Sequence, residues 1–276
     1  MKRVLITGSD GFLGRNLKKA LGNEGWEIIE LVSPRGISNS HKIFNSLETL
    51  QSRFHVFDIV FHLAAYIPYG AMNQESESLE LVNVKLTQDV MEIYPTARWV
   101  FASSVAVFGS CVDRPITTHS TGENLSEYGL SKARAEDVVT RAKSHVIIRF
   151  ASIVGPGMKA TSMVPIMIER ARNAKPIVVY GDGNRLQNYI DVRDAAQLLI
   201  QAAIFSENIL TLGIGSREYS NRDVALIIRE LTQAEVIFEG TDSSVGFTYD
   251  DRDMHQRLGF EPKYKLMETI RDIIAI

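Results

Sequence analysis

Cysteine is almost missing from this chain: among 276 residues only Cys111 carries a thiol. A single thiol excludes an intramolecular disulfide and any cysteine-built metal cluster, and it suits a reducing, cytoplasmic compartment. No apolar run approaches the ~18 residues of a membrane span, so no membrane partner is expected. The opening MKRVLITGSD starts like a signal peptide, but its apolar run is too short and Asp10 interrupts what would follow. An excess of one charge is lacking too. Thirty Lys and Arg stand against 33 Asp and Glu, mixed along the chain, for a net charge of -3. With no basic block and no basic–aromatic stripe, nucleic acid is not an expected partner. The six histidines show no metal-ligand spacing, so no metal is expected. No internal repeat, low-complexity tract or linker interrupts the chain.

What is present is ordinary globular material, 45% hydrophobic and 23% charged. Its length suits one main domain with a smaller lobe. The first half alternates short apolar runs with longer periodic ones. VLIT (4–7), EIIELV (27–32), IVFHLAA (59–65), RWVFASS (98–104) and HVIIRF (145–150) read as strands. FLGRNLKKAL (12–21), a short segment around LETLQSRF, the stripe at 79, 82, 86, 90 and 93, and SKARAEDVVTRA read as helices. Strands that are apolar throughout and alternate with helices predict an α/β fold: a doubly wound parallel sheet of Rossmann type. In the second half SMVPIMIERARNA, VRDAAQLLIQAAI, SNRDVALIIRELT and KLMETIRDIIAI read as helices, with strands near PIVVY, NILTLG and EVIFE. The expected division is a dinucleotide-binding domain over 1–150 and a small C-terminal substrate-binding lobe within 151–276, from which 187–212 returns to the Rossmann domain.

Two local patterns carry chemistry. After the first strand comes TGSDGFLG, with Gly8, Gly11 and Gly14 and with Phe12 and Leu13 opening the helix. A tight turn off the strand needs a residue tolerant of positive φ. A pyrophosphate needs the backbone close to it, and the helix start must aim its N–H groups at the phosphates. The position is that of a dinucleotide site. The second strand carries no acid at its expected end, Val32, to meet a ribose 2′-hydroxyl. Ser33 and Arg35 follow and suit a 2′-phosphate, which favours NADP over NAD as the NAD(P) cofactor. The second pattern is Tyr128 and Lys132 in SEYGLSKARAE, one helical turn apart. By itself that spacing describes any amphipathic helix.

Together, these patterns resemble the extended short-chain dehydrogenase/reductases, the nucleotide-sugar epimerase/dehydratase group. HLAA (62–65), Asn83 in LVNVKLT, FASSVAVFG (101–109), RFASIVGPG (149–157), YGDGNRLQNYIDVRDAA (180–196) and LGFEP (258–262) follow the family's motifs in the family's order. The resemblance implies that Tyr128 is the acid/base, that Lys132 stabilises its phenolate and holds the nicotinamide ribose, and that Ser104 hydrogen-bonds the reacting oxygen. It places Leu63, Ala64 and Ala65 at the cofactor, and Ser104, Ser152, Arg185 and Gln187 at the substrate. It implies a homodimer formed through 79–94 and 128–142.

The chain also departs from the family pattern. Val105 and Ala106 stand where dehydratases carry an Asp-Glu pair, which argues against 4,6-dehydration. Ser152 replaces an asparagine and Gln187 an arginine that meets the diphosphate. No arginine lies near Thr248, although Arg185, Arg217 or Arg222 can supply the charge. Asn45 or Ser46 takes the place of an adenine-binding aspartate. His62 reads as a buried histidine beside the cofactor, and Asp191 and Asp194 read as helix caps. The expected activity is an NAD(P)-dependent epimerase or 4-ketoreductase acting on a nucleotide sugar. The alternatives are an NADPH-dependent reductase of a non-nucleotide carbonyl and a dinucleotide-sensing regulator without turnover.

Overall fold

The computed structural model describes residues 1–22, 25–33, 42–68, 75–250 and 252–276. Strand β1 (Lys2–Thr7) opens the chain, followed by α1 (Phe12–Leu21), β2 (Trp26–Leu31), β3 (Ile43–Phe44), α2 (Leu47–Gln51) and β4 (Ile59–His62). One helical stretch then runs as α3 (Glu75–Leu79), a π-helical segment (Glu80–Lys85) and α4 (Leu86–Ile93). Next come β5 (Arg98–Ser104), a 3-10 turn (Val105–Phe108), α5 (Glu127–Val139), β6 (His145–Phe150) and β7 (Ser152–Val154). The chain ends with α6 (Met163–Arg172), β8 (Ile177–Tyr180), β9 (Leu186–Asp191), α7 (Val192–Ile204), β10 (Ile209–Gly213), β11 (Glu218–Ser220), α8 (Asn221–Thr232), β12 (Val236–Glu239), a π-helical turn (Asp253–Arg257) and α9 (Leu266–Ile274).

Seven strands form one parallel sheet in the order β10-β6-β5-β4-β1-β2-β3. The expected doubly wound α/β fold is therefore the observed one. Val4, Leu5 and Ile6 have no exposed surface, because the sheet is covered on both faces. Val4 and Ile6 point into a core shared with Leu17 of α1 and Leu198 and Leu199 of α7. Leu5, between them, points into the opposite core with Leu50 of α2, Val90 and Met91 of α4, and Ala135 and Val138 of α5. That alternation is the period of a strand. Each such aliphatic side chain contributes roughly 1.5–3 kcal/mol on burial. β10 joins the central sheet beside β6, and α7 packs on α1. A third core lies in the C-terminal region, between α6, α8, α9 and the strands β8 and β9.

Chain order reverses at β1, which has β4 on one side and β2 on the other. The carboxyl ends of β1 and β4 thus flank the crevice where doubly wound sheets take ligands. Among the described residues no helix is long and apolar enough to cross a membrane.

Candidate active site

The glycine loop fills that crevice with backbone. Gly8 has φ of +67° and donates its N–H to Leu31 O at 2.8 Å. A Cβ there would lie 2.8 Å from Cα and N of Ala64, on the loop after β4. A Cβ on Gly14 would strike the Gly8 carbonyl and the Ser9 backbone, so the third glycine lets α1 lie against the loop. Gly11 is the N-cap of α1; no side chain caps the helix, and no acid sits in its first turn. Phe12 and Leu13, half-buried, open that turn. A cradle closed to Cβ atoms, ending in uncapped helix N–H groups, fits a pyrophosphate.

Beneath the cradle lies a fully ordered polar chain. Thr87 Oγ1 donates to Asn83 O at 2.7 Å, which commits its one hydrogen. His62 Nε2, 2.8 Å away, must therefore be the donor to Thr87. Burial pulls His62 from 6.5 down to about 3, with the Lys132 charge adding to the effect, so the ring is neutral and Nδ1 accepts from Thr7 Oγ1 at 2.9 Å. Thr7 Oγ1 in turn accepts the N–H groups of Leu63 and Ala64, both at 3.2 Å. β4 stops at His62, short of the 59–65 expected from the apolar run: Leu63 N–H still reaches Thr7 O at 3.3 Å, while Ala64 N–H turns to the Thr7 side chain. Ala65 continues the same half-buried loop.

A neutral buried histidine stabilises the fold above the unfolded-state value of 6.5, and that stability is lost as pH falls from 6.5 towards 3. The expected contribution is about 1.4 kcal/mol per pH unit in that window. Urea unfolding of wild type and His62→Gln between those pH values should show a flatter acid slope in the variant. Equal slopes would contradict the neutral assignment.

The catalytic candidates come from two elements held in contact. Ser104 ends β5 and caps the 3-10 turn, its Oγ accepting Ala106 N–H at 3.1 Å. That leaves the hydroxyl hydrogen of Ser104 for another partner. Ser126 caps α5 by accepting Gly129 N–H at 3.1 Å, which starts the helix just before Tyr128. A Cβ on Gly129 would collide with Ala106 O. The glycine after Tyr128 therefore lets the Ser104 turn rest on the first turn of α5. Tyr128 is half-buried. One turn on, Lys132 is 2% exposed; its Nζ donates to Ala102 O at 2.7 Å and lies 4.2 Å from the Phe101 ring centroid. Burial lowers its pKa from 10.5 to about 7, with Glu136 opposing. Asn83, in the π-helical segment, ties the pieces together. Its Nδ2 donates to Tyr66 O at 3.1 Å and Ser131 Oγ at 2.9 Å, its Oδ1 accepts Tyr66 N–H at 2.7 Å, and Ser131 donates to Tyr128 O.

The other substrate candidates lie on or beside a separate three-stranded sheet, β11-β9-β7. β7 pairs with β9 so that Ser152, which is exposed, stands beside Tyr189. Gln187, on the same face of β9 as Tyr189, donates to Asn221 Oδ1 at 2.8 Å. Arg185 has a buried Nε without a partner among the described residues, and the buried Tyr189 hydroxyl is likewise unpartnered. Arg222 is engaged with Asp182 O at 3.0 and 2.7 Å, and the Arg217 guanidinium lies over Tyr219. Asp191 caps α7, as expected; Asp194 instead accepts the N–H groups of Lys263 and Tyr264. At the end of β2, Ser33 is exposed, and Arg35 lies outside the described residues. Glu30, the nearest acid, is paired with Lys18 of α1 at 2.7 Å. Three polar residues at the heart of this arrangement were not assigned a role from the sequence: Ser131, Glu136 and Arg149, the last entering only as the first residue of RFASIVGPG. Their signal was a charge or hydroxyl inside an otherwise buried run.

The family model described as the NAD dependent epimerase/dehydratase family matches residues 4–212. The chain belongs to that family. Its motifs place it among the extended short-chain dehydrogenase/reductases. It is similar to a putative UDP-glucose 4-epimerase of Methanocaldococcus jannaschii, 23% identical over 98% of this chain and 97% of that one. It is also similar to a dTDP-glucose 4,6-dehydratase of Haemophilus influenzae, 22% identical over 99% of this chain and 97% of that one. Among solved structures it resembles MoeE5 in complex with UDP-glucuronic acid and NAD, with a TM-score of 0.86, 25% identity, and coverage of 99% of this chain and 98% of that one.

Proposed function

We propose that this epimerase/dehydratase-family chain is an NAD(P)-dependent epimerase or 4-ketoreductase acting at a C–OH/C=O carbon of a nucleotide sugar. The observation that carries the reading is the contact of the Ser104 turn with the first turn of α5, allowed by Gly129. It brings a hydroxyl donor, a phenol and a buried amine to one edge of the sheet, beside the glycine cradle. The nicotinamide supplies or accepts the hydride. Tyr128 takes the proton from the sugar hydroxyl, or returns it. A free phenol has a pKa of ~10, so its anion needs a cation nearby. Lys132 is that cation, and its remaining hydrogens would hold the nicotinamide ribose. Ser104 donates to the reacting oxygen, since its own acceptor role is already filled by Ala106 N–H.

Gly8, Gly11, Phe12, Leu13 and Gly14 hold the pyrophosphate, and Leu63, Ala64 and Ala65 line the far side of the crevice. With Glu30 paired to Lys18, the end of β2 offers no carboxylate to a ribose 2′-hydroxyl, which supports Ser33 and Arg35 as 2′-phosphate ligands and NADP as the preferred cofactor. Arg185, whose buried Nε has no partner among the described residues, is the residue to meet the substrate's diphosphate, with Ser152 and Gln187 as further contacts. Val105 and Ala106 carry no carboxyl group, so elimination of a sugar hydroxyl lacks its acid and base. We infer a cytoplasmic homodimer, with the exposed Leu81 and Leu130 on the two helices that would meet.

One specific observation favours a second reading, the reductase of a small carbonyl compound: Gln187 is held by Asn221, and Thr248 brings no charge. Calorimetric titration separates them. NADPH is expected to bind more tightly than NADH, by roughly 10–100-fold, and Arg35→Ala should erase the difference. A nucleoside-diphosphate sugar should bind the NADP-loaded protein and fail to bind Arg185→Gln. Tight NADPH binding with no response to any sugar nucleotide would replace the first reading by the second.

A further inference from the structure

Glu136 lies one helical turn beyond Lys132, and its side chain is only 10% exposed. Both its oxygens are engaged. Oε1 accepts the Ser103 hydroxyl and Arg149 Nε at 3.0 Å, and Oε2 accepts Arg149 Nη2 at 2.8 Å. Arg149 is fixed in turn: Nη1 donates to Thr118 O at 3.2 Å, and the guanidinium lies 4.9 Å from the Phe108 ring centroid. None of the three residues of this clamp belongs to the glycine cradle or is itself a substrate candidate, and Glu136 stands on the same face of α5 as Lys132. Around Lys132, α5 itself brings Tyr128 one turn before and Glu136 one turn after. β5 brings Ala102 O and the Phe101 ring; β6 brings Arg149; β4 brings His62, which is neutral. The π-helical segment and α4 bring Asn83 and Thr87, which carry no charge. Among the described residues, Glu136 is thus the one carboxylate facing Lys132.

We propose that Glu136, clamped by Arg149 and Ser103, is a positioning residue that sets the charge of Lys132 and with it the pH range in which Tyr128 works. The part that concerns Tyr128 rests on the function proposed above; the coupling of Glu136 to Lys132 does not. Burial takes the lysine down to about 7, and the carboxylate pushes it back up. Without that carboxylate, the ammonium keeps only the carbonyl of Ala102 and the face of Phe101, and it loses its proton at lower pH. Two charges one helical turn (about 6 Å) apart, at an effective dielectric of ~20, shift each other by roughly two pH units.

The test is the titration of Lys132 in cofactor-free protein carrying ¹³C-labelled lysine, with Lys132→Arg assigning the signal. In Glu136→Gln the midpoint should fall by about two units. The pH–rate profile of the active enzyme should move to lower pH with it. A clamp that only holds the fold would lower the rate at every pH and leave both midpoints where they were, and that result would overturn the proposal. If Glu136→Gln does not fold, Glu136→Gln with Arg149→Met removes the buried pair as a unit. The nearer charge is then still lost, and a smaller fall is expected; an unchanged or raised midpoint counts against the proposal. A wild type inactive on every sugar nucleotide would sink the proposed function, while the lysine titration would still decide the role of Glu136.

Discussion

Tyr128→Phe is expected to lower turnover by about 10²–10⁴-fold while leaving cofactor affinity unchanged. The phenyl ring keeps the shape and burial of the side chain and removes only the oxygen that moves the proton. Lys132 keeps its anchor on Ala102 O in the variant. Stability should change by well under the few kcal/mol typical of core substitutions. The measurement is steady-state turnover beside a cofactor titration on the same preparation. Full turnover in the variant would remove Tyr128 from the chemistry. Loss of cofactor binding in parallel would assign it a binding role only.

Gly129→Ala should be nearly as damaging, for a geometric reason. Gly129 is no reacting group, but the added methyl would meet Ala106 O, which is backbone and cannot swing aside. Either the 3-10 turn lifts away from α5 or the first turn of α5 shifts. Both separate Ser104 from Tyr128 by a fraction of an ångström to an ångström. Misplacement of that size costs on the order of 100-fold in rate, and overpacking costs about 1–3 kcal/mol of stability. Cofactor affinity, to which the glycine cradle contributes from the opposite side of the crevice, should hold within a few-fold. Wild-type turnover in Gly129→Ala would show that the contact does not position the pair.

Much of this arrangement could be read before any coordinates. The strands at RWVFASS and HVIIRF and the helices at FLGRNLKKAL and VRDAAQLLIQAAI have the expected bounds. In each, uninterrupted apolar burial or a clear helical stripe leaves no competing register. β3, β7, β9 and β11 gave no such signal. Three of them span only two or three residues. β9 carries Gln187 and Asn188 in its middle, because Asn188 bonds with Gly215 through both its amide oxygen and nitrogen. Nor could periodicity reveal the π-helical segment at Glu80–Lys85, since its cause is a tertiary bond set from Asn83 to Tyr66 and Ser131.

The site was legible in its residue types and not in its electrostatics. Tyr128, Lys132 and Ser104 announce themselves by motif. That Lys132 is buried beside a neutral His62, with one carboxylate below it, follows only from packing. The substrate side was the least legible. Arg185 lies just before β9 and Gln187 within it, and only the structure tells that Gln187 is satisfied by Asn221 while Arg185 has a buried nitrogen without a partner among the described residues.

The most direct test of the central claim is hydride transfer itself. Wild-type protein loaded with the oxidised cofactor would be mixed with nucleoside-diphosphate sugars deuterated at the sugar C4, and the nicotinamide then examined for reduction and for label. The account predicts reduced, deuterated nicotinamide with at least one sugar nucleotide, and none in Tyr128→Phe. Tight binding of both cofactor and sugar nucleotide by the wild type, with no deuterium ever reaching the nicotinamide, would contradict it.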